Sequence, residues 1–283
     1  MKLASAAAFF DRQVCYDALN PSSTFMAQLD LFDDSKRDGT TPVRRVLSVK
    51  PSIKLPTSGA VVVGNDTFVV GGRHDDLFNG SAIRSKYVMQ IADGPATVYT
   101  LAQAAAGSGG TSTFAGRVWL KDLKEPEQSS GLYPYFNLFL PANSTCGLNN
   151  VMALAGKYYF VRAAFTSPGG FRACESSELL GDAIGTIAYT DRSGRTYNPA
   201  TDTVAALAVV NCAAVVLRYE DSFLRNSAAA PRNEAGDVTL AVAKVLVSAP
   251  GPGDTWAKGG VTYRVKAVND DGSTSWLLHS CRA

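Results

Sequence analysis

The chain holds two histidines, His74 and His279, and five cysteines, Cys15, Cys146, Cys174, Cys212 and Cys281. Nucleophilic catalysis of the Ser-His-Asp or Cys-His kind needs one of those imidazoles beside a nucleophile. His74 lies in Arg73-His74-Asp75-Asp76, a polar run that reads as a solvated turn, with a cation or an acidic partner as its functional alternative. His279 stands two residues before Cys281, so a strand would put both on one sheet face. A working Cys-His couple also needs an activated thiolate, and sharing a sheet face does not by itself supply one. The carboxylate pairs Asp33/Asp34, Asp75/Asp76, Glu125/Glu127 and Asp270/Asp271 are adjacent or nearly so, in turn-like segments. Acid–base hydrolysis needs carboxyls held apart across a cleft, which neighbouring turn residues do not provide. The cysteines are odd in number, scattered and without a C-x-x-C pair, which reads as small buried thiols and not as a zinc site. Gly107-Ser108-Gly109-Gly110 lacks the Lys-Ser/Thr of a phosphate loop. Tyr133, Tyr135, Phe136 and Phe139 could stack on a sugar, but such a stripe is more often core or interface. Asn65, Asn79 and Asn143 each begin a glycosylation sequon, of little weight without a secretion signal. The sequence therefore assigns no catalytic, cofactor-binding or metal-binding residue.

These residues must be carried by elements, and composition bounds which. With 283 residues, 46% hydrophobic and 18% charged, the chain is an ordinary globular one. That length buries roughly 70–75% of the unfolded surface, enough for one large or two modest domains. A net charge of +2, with no basic run longer than Lys36-Arg37 or Arg44-Arg45, argues against a dedicated nucleic-acid face. No apolar run approaches the ~20 residues of a membrane span. Met1 to Phe10 resembles a signal peptide only faintly, since Asp11-Arg12 cuts the apolar part. Ala4 to Leu19 is expected to be an N-terminal helix.

Alternating apolar residues, punctuated by Gly, Pro, Asn and Asp, dominate the rest. Strands are expected at Val46–Val49, Ala60–Val63, Thr67–Val70, Leu132–Leu140, Lys157–Val161, within Thr203–Leu217, over Asp237–Ser248 and in three pieces between Asp254 and Leu278. Ser176–Ile187 is a helix candidate, and Ala104–Thr113 and Glu220–Gly236 are loop candidates. Asp66-Thr67-Phe68 followed after two residues by Gly71-Gly72 echoes Asp254-Thr255-Trp256 followed by Gly259-Gly260, which suggests a duplicated β-module. The fold class expected is mainly β, a β-sandwich or small β-barrel modules with one or two short helices. Three regions are drawn: 1–100, an N-terminal helix plus β module; 101–200, a β-rich insertion; and 201–283, a β-barrel module.

The C-terminal stretch resembles the end of tailed-bacteriophage head–tail joining proteins of the head-closure or stopper group. The residues that carry this are Val242 to Ser248, Pro250 to Trp256, Gly259-Gly260, Tyr263-Arg264-Val265, Asp270-Asp271-Gly272 and Trp276 to Leu278. Ala213 to Phe223 is similar to that family's opening strand, and Asp66 to Gly71 with Ile83 to Tyr87 resembles modules of the same connector region. The resemblance implies a non-enzymatic virion protein without a cofactor, assembled in the host cytoplasm as a six- or twelve-fold homo-oligomeric ring. Its partners would be portal, adaptor or tail proteins, with passive contact to DNA in the lumen and none to a membrane. Alternative readings are another virion part (decoration protein, tail terminator or fibre adaptor) or a secreted carbohydrate-binding or hydrolytic β-protein.

Overall fold

The computed structural model describes residues 12–31, 44–56, 58–120, 135–179, 182–192, 197–200, 203–204, 208–218, 237–270 and 275–283. Eighteen strands form three closed antiparallel barrels of six. The first holds β1 (Arg12–Asp17), β2 (Thr24–Leu31), β3 (Arg44–Val49), β4 (Ala60–Val63), β5 (Asp66–Phe78) and β6 (Ser81–Ile91). The second holds β7 (Gly94–Tyr99), β8 (Thr111–Leu120), β9 (Tyr135–Leu140), β10 (Val151–Leu154), β11 (Lys157–Thr166) and β12 (Arg172–Leu179). After β13 (Ile184–Thr190) comes a two-stranded excursion, β14 (Tyr197–Asn198) with β15 (Thr203–Val204). The third barrel then continues with β16 (Val209–Arg218), β17 (Val238–Ala243), β18 (Thr255–Lys258), β19 (Val261–Asn269) and β20 (Ser275–Arg282).

All three barrels have one topology. Round each ring the order is first, second, third, sixth, fifth, fourth strand, and the fourth closes against the first. Each is two three-stranded meanders facing one another. The fourth and fifth strands are joined by two-residue turns, Gly64-Asn65, Ala155-Gly156 and Gly259-Gly260. Positive φ at Ala155 (52°), Gly156 (76°), Gly259 (59°) and Gly260 (78°) gives the turn twist that matches paired strands. Past the turn, an aromatic and a valine point inward in every copy: Phe68 and Val70, Tyr159 and Val161, Tyr263 and Val265. Each valine marks a β-bulge against the sixth strand, which bends the sheet toward closure. Opposite them, Leu47, Leu138 and Leu240 on the third strands are fully buried. Burial of one such side chain contributes about 1.5–3 kcal/mol. The turn before each fourth strand also repeats. Gly59, Asn150 and Asp254 donate to Pro56, Gly147 and Gly251, and their carbonyls accept from Val70, Val161 and Val265 at 2.8–2.9 Å.

The barrels meet through the same surfaces twice. In the first joint Ala18, Ala60, Val69 and Ala92 of barrel one meet Phe139, Phe171 and Ala173 of barrel two. In the second, Tyr99, Val151, Phe160 and Leu179 of barrel two meet Val215, Ala241 and Leu277 of barrel three. Strand register makes Ala60 equivalent to Val151, Val69 to Phe160, Phe139 to Ala241 and Ala173 to Leu277. The first joint also brings two backbones together, with Gly72 N–H donating to the Gly169 carbonyl at 2.8 Å. The second is wedged by α1 (Leu101–Ala106), which Thr100 and Gln103 close as a capping box and Gly107 ends in the left-handed conformation. Its Leu101 and Ala104 join the interface.

The mainly-β expectation holds, in its barrel form and with one short helix among the described residues. Several finer expectations change. The N-terminal helix over Ala4–Leu19 gives way to strand β1 from Arg12, because Cys15 must pair with Phe25 and Val63 to close the barrel; residues 1–11 lie outside the described residues. The Ser176–Ile187 helix is instead the end of β12 and the start of β13, and the Ser176 hydroxyl donates across the sheet to the Phe136 carbonyl at 3.2 Å. Ala104–Thr113, expected as a loop, holds the end of α1 and the start of β8. Lys244 to Leu246 turn away from β17, leaving Val245 88% exposed. The barrels span 12–91, 94–179 and 184–282, so β7 lies before the division drawn at 100/101 and β13 before that at 200/201. Glu220–Gly236 lies outside the described residues.

Candidate functional site

β5 and β6 carry the feature with the most unspent surface. β5 runs to Phe78, eight residues past Val70, whereas β11 runs five past Val161 and β19 four past Val265. At 3.3 Å per residue the hairpin therefore reaches about 10–13 Å farther than its counterparts. Asn79 (φ 48°) and Gly80 (φ 77°) turn it tightly. At the tip Leu77 and Phe78 are each 64% exposed and Ile83 is 61% exposed. Two ion pairs stiffen the shaft: Arg73 with Asp75 at 2.8 Å and Lys86 with Asp76 at 2.9 Å. The hydrogen bond from Arg73 holds the Asp75 carboxyl below the usual carboxylate range. His74, expected in a turn, is a strand residue paired with Lys86. The sequence had marked this stretch for its charges; the apolar tip shows only as Leu77, Phe78 and Ile83 flanking Asn79-Gly80.

The other sequence candidates do not converge. His279 is 7% exposed and its Nδ1 shares a 2.8 Å hydrogen bond with the Thr239 hydroxyl. Burial lowers its pKa, against the opposing pull of Asp237. Cys281 shares the sheet face, as the period of two requires, but its thiol points to the Arg264 carbonyl at 3.8 Å. All five cysteines are free thiols, four of them buried. Burial pushes Cys15 and Cys212 up to about 11. Cys146 and Cys174 are both fully buried in the core of the second barrel. Asp75 and Asp76 are claimed by separate cations on opposite faces of the arm. Asp270 pairs with Lys244, while Asp33, Asp34, Glu125, Glu127 and Asp271 lie outside the described residues. Of the aromatic stripe, Phe136 stands edge-on to Tyr159 in the core and Phe139 edge-on to Phe171 in the first joint, so neither is free to stack on a ligand. Tyr133 lies outside the described residues. Gly107 to Gly110 cap α1 and lead into β8. Among the described residues no group of three His, Cys, Asp or Glu could hold a metal, and no helix is long and apolar enough to cross a membrane.

One buried carboxylate was not singled out by sequence. Asp254 is 2% exposed. Its Oδ2 accepts from Tyr189 Oη–H and from Gly251 N–H at 2.7 Å, and its Oδ1 accepts from Arg192 N–H at 2.8 Å. Asn150 closes the equivalent turn of the second barrel, accepting from Gly147 N–H at 2.7 Å. The Gly-Asp-Thr run is thus a structural latch. The signal was the spacing: an Asx residue three after a glycine, just before a short strand. No protein-family model, curated protein or solved structure matches the chain.

Proposed function

We propose that this is a virion structural protein of a tailed bacteriophage, a head–tail connector component that acts through assembly and not through turnover. The observation that carries the assembly part is the β5–β6 arm, whose Leu77, Phe78 and Ile83 stand out of the first barrel on a braced shaft. Aromatic and aliphatic anchors of this kind supply most of the energy of a contact once a partner encloses them. The connector part rests on the resemblance of the third barrel's strands and turns to head-closure proteins. In this reading the arm reaches a neighbouring subunit of a six- or twelve-membered ring, and portal, adaptor or tail proteins meet the ring's faces.

The test is the mass of the purified protein, and its copy number in phage particles, before and after replacing the arm tip. A ring of six or twelve that falls to monomers in Leu77→Ser/Phe78→Ser, with thermal stability unchanged, supports the reading. A wild-type monomer that is absent from particles overturns it. Hundreds of copies per particle would assign the protein to decoration instead.

A further inference from the structure

Both joints between barrels use a row of residues lying side by side across the sheet. The donor row is Ala18, Ala60 and Val69 in barrel one and Tyr99, Val151 and Phe160 in barrel two. The acceptor row is centred on Phe139 and Ala173 in barrel two, and is Val215, Ala241 and Leu277 in barrel three. The joint is heterologous: one barrel's donor face sits on the next barrel's acceptor face. A heterologous contact does not close by itself, and repeated between chains it produces an open filament. Among the described residues no barrel is joined to the acceptor row of barrel one or to the donor row of barrel three.

Register identifies those rows. In barrel one the acceptor row is Gln28, Ser48 and Lys86. In barrel three the donor row is Thr190, Thr255 and Arg264. At five of these six positions both internal joints carry an apolar or aromatic residue and the unused face a polar one; the sixth, Gln28, corresponds to Arg117 in barrel two and Val215 in barrel three. Each unused face carries a cation, Lys86 or Arg264. Arg264 is exposed, and Lys86 keeps 37% of its side chain in water. Docking on the apolar pattern would bury Arg264 and the Lys86–Asp76 ion pair against hydrocarbon, which is costly. Repeat arrays end in this way, with polar outer faces on their terminal units.

We infer that Gln28-Ser48-Lys86 and Thr190-Thr255-Arg264 are end caps that restrict a working barrel joint to the inside of one chain. The surface beneath each cap fits the complementary end of a second copy of this chain and is held shut by its polar residues. Any assembly the protein makes then uses its flanks, such as the arm, and not its ends. This holds whether or not the virion reading does.

The test opens each end separately. Ser48→Ala/Lys86→Leu gives barrel one two of the acceptor residues of barrel three, and Asp76→Asn, which breaks the same ion pair of the arm but leaves the end face polar, is its control. Thr255→Val/Arg264→Phe gives barrel three the donor residues of barrel two. By sedimentation velocity each variant alone keeps the wild-type mass, an equimolar mixture forms a particle of twice that mass, and a chain carrying all four substitutions grows into filaments. If a variant misfolds by circular dichroism, Lys86→Met or Arg264→Leu, which keep a large apolar side chain on the face, replace it with the same expected outcome. Folded variants that do not associate when mixed, single variants that self-associate as strongly as the mixture, or wild-type chains that already grow end to end would each overturn the inference.

Discussion

Gly170→Ala is the sharpest probe of how the first two barrels are held together, and Gly156→Ala is its internal control. The two glycines have almost the same backbone, φ 74° and 76°. A side chain in that left-handed region costs about 1–2 kcal/mol at either site. At Gly156 a Cβ meets nothing within 4 Å, so that cost is the whole effect. At Gly170 a Cβ would lie 2.3 Å from the Gly72 Cα and 2.3 Å from its nitrogen. Carbon atoms in contact sit about 3.5–4.0 Å apart, so the barrels must separate locally by more than an ångström. The 2.8 Å bond from Gly72 to Gly169 is then lost, at about 1 kcal/mol. Phe171, 1% exposed and edge-on to Phe139, loosens with it. Full truncation of such a phenylalanine costs about 3–5 kcal/mol, and partial loosening a fraction near 1–2. The expected total is about 3–5 kcal/mol for Gly170→Ala against about 1–2 for Gly156→Ala. Differential scanning calorimetry reads this directly. At about 4–8 °C per kcal/mol for a unit of one barrel's size, Gly170→Ala separates an early first-barrel transition, while Gly156→Ala shifts the second barrel modestly. Equal costs for the two substitutions would refute the argument that backbone contact at Gly72 and Gly170 sets the joint.

Asp254→Ala strands the Tyr189 hydroxyl and two backbone N–H groups, and is expected to cost about 2–4 kcal/mol in urea denaturation, with Tyr189→Phe costing about 1. A thiol reagent on the native protein should label Cys281 quickly and leave Cys15, Cys146, Cys174 and Cys212 unlabelled until denaturant is added; mass spectrometry of the labelled peptides checks this. His279 has a folded pKa below its unfolded value of 6.5, so the unfolded chain binds its proton first. That contribution to stability is complete above pH 6.5 and is lost as pH falls through it. His279→Gln should flatten the decline in thermal midpoint between pH 7 and 5, and an unchanged slope would show that another group controls it.

Strand chemistry was legible because it is local. Gly259-Gly260 followed by Tyr263 and Val265 announces a hairpin with an apolar face, and the barrel has that hairpin. The threefold repeat was less legible, because the copies share turn, aromatic and valine but little else. The echo seen between Asp66-Thr67-Phe68 and Asp254-Thr255-Trp256 is a false register. Thr255 occupies the place of Ala60, and Phe68 that of Tyr263, so the two runs sit on different strands. Helix-like stretches misled where tertiary closure outweighs propensity. Cys15 is drawn into a strand by the barrel seam although the residues before it are rich in alanine. The arm tip was invisible in pattern terms, since exposure of Leu77 and Phe78 depends on how far a hairpin outruns its barrel, and no residue type encodes that length.

The two joints share an architecture but trade sizes. Slim Ala60 and Val69 slot against bulky Phe139 and Phe171 in one; broad Val151 and Phe160 sit over Ala241 in the other. Each barrel thereby carries an address for its neighbour. Placing barrel three directly after barrel one would set Val69 on Ala241, leaving a gap, and duplicating barrel two would set Phe160 on Phe139, with crowding of about 1–3 kcal/mol. The modules cannot be shuffled like beads, and a gene rearrangement that preserved every barrel would still fail to preserve the stack.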